Sequence, residues 1–171
     1  MARSLFTNKN NIIKNTLISG DIDEDKIVPH IEAAQDIDLF NLLGQNLYER
    51  IDDLVADNEI RTVGNENYLN LLRKFIVPMI EQYAAARFLQ YARYTVSEKG
   101  VFVHSASNST PASKGEVDTL IQNIRERAER YATNMYDHLC TNSELYPEYV
   151  TTDSEQTPPS HEPQDFWFRS F

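Results

Sequence analysis

YLNLLRKFIVPMIEQYAAARF, residues 68–88, decides the fold. Tyr68, Leu71, Leu72, Phe75, Ile76, Met79, Ile80, Tyr83, Ala84 and Phe88 recur at steps of three and four and together cover more than half of a helix surface. A helix apolar over so wide an arc is buried on most sides, so this one is expected at the centre of an all-α molecule. Pro78 lacks the N–H that would bond back along the helix, which predicts a kink or split near residue 77. The small side chains of Ala84-Ala85-Ala86 let a neighbouring helix approach closely.

Downstream, residues 97–113 are rich in Ser, Asn and Pro, with Val101-Phe102-Val103-His104 as a short strand, and are expected to form a long loop or short hairpin. Ser113-Lys114-Gly115-Glu116 has the spacing in which serine and glutamate satisfy each other's backbone donors. Val117, Leu120, Ile121, Ile124, Ala128, Tyr131, Met135 and Leu139 follow, which predicts a helix over 114–141. Its other face carries Arg125, Glu126, Arg127, Glu129 and Arg130, a solvated or subunit-facing surface.

Upstream, Leu47, Tyr48, Ile51, Leu54 and Val55 predict a helix over about 44–57, joined to the central one by a polar connector through Gly64-Asn65. Asp21, Asp23, Glu24 and Asp25 suit the positive end of a starting helix, and Ile27, Ile31 and Ala34 carry it over about 24–37, with Pro29 in its first turn. The whole is expected as a four-helix bundle with a kinked central helix. Residues 1–20 are expected as an amino-terminal arm that orders only against something else, 21–142 as the helical domain, and 143–171 as an extended tail. Pro158, Pro159 and Pro163 among acidic and hydroxyl residues argue against a packed core in that tail. It nevertheless ends in Phe166-Trp167-Phe168-Arg169-Ser170-Phe171, and exposed aromatic groups of that size call for a receiving pocket. That pocket lies on another subunit or on the chain's own domain.

With 171 residues the chain suits one domain with appendages. Its 26 acidic against 16 basic residues give a net charge of -10, which disfavours wrapping around nucleic-acid phosphates. The composition suits a solubilising shell, or a channel past which DNA slides without sticking. Cys140, the one cysteine, cannot form an internal disulfide. No run approaches the roughly 18–20 uncharged apolar residues of a membrane span, and the polar Thr7 to Asn11 occupies the place of a signal peptide's apolar region.

A di-iron centre needs Glu-x-x-His on two helices, and none of His30, His104, His138 or His161 follows a glutamate at that spacing. No His-Glu-x-x-His and no glycine-rich phosphate loop occurs, so neither metal nor nucleotide cofactor is expected, and no catalytic residue. Cys140 is expected to be half-buried and structural, and His30 to be a surface or packing residue. An enzyme of other chemistry would have to draw on Asp52-Asp53 or His138. A second alternative is an intracellular helical adaptor or DNA-binding regulatory protein, with Arg73, Lys74, Arg125, Arg127 and Arg130 as a basic strip.

Leu42-Leu43-Gly44-Gln45-Asn46-Leu47-Tyr48, the Gly100-Val101-Phe102-Val103 turn and Tyr146-Pro147-Glu148-Tyr149 after the last helix carry a resemblance. Over about residues 20–150 the chain resembles head–tail connector (adaptor) proteins of tailed bacteriophages, of the type found in phages of Bacteroides-like hosts. The resemblance implies a non-enzymatic subunit of a ring, commonly a dodecamer, between portal and tail, extending the channel through which DNA passes. It implies the portal protein, neighbouring copies and further tail or neck proteins as partners, and the virion neck as location after assembly in the host cytoplasm. It also implies clasping segments, for which Phe166, Trp167, Phe168 and Phe171 are the anchor candidates and Val101, Phe102 and Val103 the loop contacts.

Overall fold

Asn8 opens the first helix by accepting a hydrogen bond from the Asn11 N–H. From there the computed structural model runs through α1 (Lys9–Asn15), α2 (Glu24–Ala33), α3 (Phe40–Ala56), α4 (Glu66–Leu71), α5 (Val77–Tyr91), the antiparallel strands β1 (Tyr94–Ser97) and β2 (Gly100–Val103), α6 (Lys114–Thr141) and α7 (Pro147–Val150). The structure describes residues 4–20, 22–92, 94–97, 100–103, 113–150 and 157–160, with 94–97 and 100–103 described by their backbone alone. The fold is all-α with a single two-stranded hairpin among the described residues, pairing Tyr94 with Val103 and Ser97 with Gly100.

The central apolar stretch is helical throughout, and the expected disturbance at Pro78 takes the form of a π turn, Leu72–Ile76, between α4 and α5. There the Val77 N–H reaches back five residues, to the Leu72 carbonyl. One extra residue is thus inserted just before the proline, where the regular ladder loses its next donor. A second π turn, Ala34–Leu39, carries α2 directly into α3, so the first helix runs past the expected end at residue 37. The helical path breaks instead at Gly44, whose φ of 71° and ψ of 166° lie in a region open essentially to glycine alone.

α5 is the hub, packed against α6, α2, α1 and the Ala34–Leu39 turn. Met79, Ile80 and Ala84-Ala85-Ala86 are buried on it, facing Ile121, Ile124, Met135 and Leu139 of α6 and Ile27 and Ile31 of α2. The expected all-α fold is what forms, and among the described residues three α-helices, α1, α2 and α6, pack directly on α5. Ser113 and Glu116 form the expected capping box at the start of α6, with the Ser113 N–H donating to Glu116 at 2.8 Å.

Residues 4–18 order against the chain's own helices. Phe6, Ile12 and Ile18 are buried in the core. Gln35, fully buried, accepts from the Phe6 N–H at 3.0 Å and donates to the Ser4 carbonyl at 3.0 Å. Glu81, also buried, accepts from the Thr7 hydroxyl and the Asn15 amide, each at 2.9 Å. Residues 143–150, expected to be extended, instead form a 3-10 turn followed by α7. Cys140 is exposed, not half-buried.

Candidate functional site

Breaking a helix frees backbone groups that must find other partners. At Gly44 they find residues 157–160. The Gln45 N–H donates to the Thr157 carbonyl at 3.0 Å, and the Ser160 N–H donates to the Asn41 carbonyl at 2.6 Å. Between these bonds Pro159 lies against Gly44 so closely that a Cβ added there would sit 2.8 Å from both the ring and the backbone nitrogen of Pro159. The left-handed glycine therefore does two things, turning the chain and clearing a notch for a proline. Leu43, Leu47 and Tyr48, on either side of the glycine in sequence, are buried. The chemistry of the notch is main-chain recognition of an extended Pro-Pro segment. The segment runs from the Gln45 end of the notch toward the Asn41 end, hence toward Asp38 one turn earlier.

Asp38 forms a two-pronged ion pair with Arg87 of α5, at 2.9 and 3.0 Å. Burial pushes the Asp38 carboxyl above its ordinary range, and the Arg87 charge offsets that only in part. Arg125 of α6 is near enough to act on the same carboxylate. Beside this group a groove of about 620 Å³ opens between the end of α5 and the first half of α6, lined by Leu89, Gln90, Lys114, Val117, Ile121 and Arg125.

A second cluster holds the chain after α6. The fully buried Tyr146 donates its hydroxyl to the Asn67 carbonyl at 3.1 Å, with His138 Nε2 at 3.1 Å from the same oxygen. His138 stacks on Phe75, and burial, with the Lys74 charge second, lowers its pKa. Glu148 accepts from the Tyr68 hydroxyl at 2.9 Å, and Arg50 lies over the Tyr68 ring. Burial first and Glu148 second push the Tyr68 hydroxyl up to about 12.

Several residues singled out in the sequence thus have structural work. His30 stacks on Tyr91 and meets the edge of Phe88, a packing histidine. Asp52 accepts from the Ser4 N–H at 3.2 Å, and Asp53 is exposed. Among the described residues no three His, Cys, Asp or Glu side chains gather as metal ligands would. Arg73, Lys74, Arg127 and Arg130 are exposed, whereas Arg125 is half-buried beside Asp38. Val101, Phe102 and Val103 lie in β2, where only the backbone is described. Phe166, Trp167, Phe168 and Phe171 lie outside the described residues. The notch itself was not expected: Leu-Leu-Gly-x-x-Leu-Tyr marks one half of it, but nothing local to Pro158-Pro159 names the glycine that receives them.

No helix among the described residues is long and apolar enough to cross a membrane. No curated protein matches the chain, and no solved structure does. A family model described as a family of unknown function, DUF6712, matches residues 39–159, a span that includes both Gly44 and Pro159. The chain belongs to that family.

Proposed function

We propose that this member of the DUF6712 family is a structural virion protein, one subunit of a ring between portal and tail that joins head to tail and extends the DNA channel of a tailed bacteriophage. What supports the reading most is the notch at Gly44. It lies within the Leu-Leu-Gly-x-x-Leu-Tyr run that carries the connector resemblance, and it holds residues 157–160, which precede Phe166–Phe171 in sequence, on the subunit surface. A subunit that must clasp its neighbours needs such an anchored strap, because tethering one end lowers the entropy lost when the other end docks. The net charge of -10 suits a channel that DNA passes without adhering. The partners in this reading are the portal, neighbouring copies and further neck or tail proteins. The protein is made in the host cytoplasm and ends in the neck.

Quantitative mass spectrometry of purified particles tests it, by comparing copies of this chain with copies of the portal protein. Equal copy numbers are expected. Absence from particles removes the reading, and salt-sensitive DNA binding by the purified protein would then favour the regulatory alternative, using exposed Arg73, Lys74, Arg127 and Arg130.

A further inference from the structure

We propose that in the free chain the aromatic segment Phe166–Phe171 seats in the groove between α5 and α6 of its own subunit. This inference does not depend on the ring, since it concerns the protein before any partner is met. Direction comes first. Residues 157–160 cross the notch from Gln45 to Asn41, so Ser160, the last of them, stands at the end of the notch nearer Asp38. Asp38 is bonded to Arg87, and Gln90, one turn beyond Arg87 on α5, already lines the groove together with Arg125. Reach comes second. Residues 161–165 separate Ser160 from Phe166, and at about 3.3 Å per residue they span up to roughly 20 Å, enough to cover a helix turn, an ion pair and a further turn.

The groove and segment also match in size and chemistry. A volume of about 620 Å³ is that of a typical ligand pocket and admits two large aromatic side chains. Leu89, Val117 and Ile121 supply an apolar floor, while Lys114 and Arg125 supply cations suited to ring faces and to the Asp165 carboxylate. Asp118, also on the groove wall, is placed to meet Arg169. Because the segment is tethered at the notch, its effective concentration at the groove is in the millimolar range, so modest affinity is enough to keep it seated. In a neck assembly the same aromatics would become available by exchanging this groove for a partner's.

Trp167 is the sole tryptophan, so its emission reports on this segment alone. In the full-length protein the emission is expected to be blue-shifted against the urea-unfolded chain and several-fold less quenchable by acrylamide, at all protein concentrations. Val117→Asp should restore solvent-like emission while leaving the far-ultraviolet helical signal intact. Should that variant fail to fold, Gln122→Cys paired with Ser170→Cys in a Cys140→Ser background replaces it, an intramolecular disulfide being the expected product. Solvent-like emission in the unmodified protein would overturn the proposal. So would protection that Val117→Asp leaves unchanged. Protection that appears only as concentration rises, or intermolecular crosslinks in place of intramolecular ones, would overturn it in favour of a second copy's groove.

Discussion

Gly44 concentrates two demands that none of Gly20, Gly64 and Gly115 meets together. A side chain there would be strained by the positive φ and would collide with Pro159. Gly64 also has a positive φ, but a Cβ there meets nothing within 4 Å. Gly44→Ala is therefore expected to cost about 1–3 kcal/mol in backbone strain alone, with loss of the contact to residues 157–160 in addition. Urea unfolding of this variant, in the full chain and in a chain ending at residue 150, separates the two contributions. The cost should be smaller in the shortened chain, where no proline opposes the new methyl and the backbone is free to relax toward a helix. Equal costs would show that glycine and tail are uncoupled. The sequence places a glycine at the head of a helix expected over 44–57, and the break lies there. Its partner was not legible, because the notch reads main-chain groups and a proline ring, which leave no complementary pattern in the side chains.

At the scale of elements, the turn after α6 hangs on a chain of hydrogen bonds whose polarity follows from its ends. Tyr146 gives its one proton to the Asn67 carbonyl, so His138 must donate from Nε2 to the Tyr146 oxygen. Nδ1 then accepts from the Asn142 amide, 3.2 Å away. This arrangement assigns a neutral imidazole, and protonating Nδ1 would set a donor against a donor. Burial lowers the His138 pKa in the same direction. The unfolded chain therefore binds the proton more tightly than the folded one, and the contribution to stability is intact above the ordinary histidine value of 6.5 and is lost as pH falls below it. His30, also lowered by burial, acts in the same sense. Stability of the unmodified protein should fall on acidification through that range more steeply than that of His138→Gln, with His30 present in both. Parallel pH profiles would mean that the network does not depend on the protonation state of His138. Tyr146-Pro147-Glu148-Tyr149 stands out in the sequence, yet an extended tail was the expectation from there on. The bonds that curl residues 143–150 run to Asn67 and Tyr68, on a helix nearly half the chain away. By contrast, the capping box at Ser113 and the span 114–141 were legible to the residue, because every group involved is local.

Across the whole molecule, residues 4–18 and residues 157–160 hold on by different means, and composition alone made both look like parts of appendages. Phe6, Ile12 and Ile18 have no helical or strand period among the asparagines that surround them, so nothing in the sequence announces them as core. They are core because Gln35 and Glu81 offer buried hydrogen bonds that fix the segment at its Ser4–Thr7 and Asn15 ends. Burying three such side chains stabilises the fold by roughly 5–7 kcal/mol, which is comparable with the entire net stability of an ordinary domain, about 5–15 kcal/mol. Removal would also leave the Glu81 carboxylate and the Gln35 amide buried without these partners. Residues 157–160 contribute two main-chain hydrogen bonds, worth about 1 kcal/mol each, and three of the four residues remain exposed. A chain beginning at residue 21 is therefore expected to lose its cooperative urea transition, while a chain ending at residue 150 keeps one, shifted only modestly to lower denaturant. If the shorter tail proved the more damaging deletion, the notch at Gly44 would be part of the folding core. It would then be unsuited to serve as a surface anchor for a segment that must reach a partner.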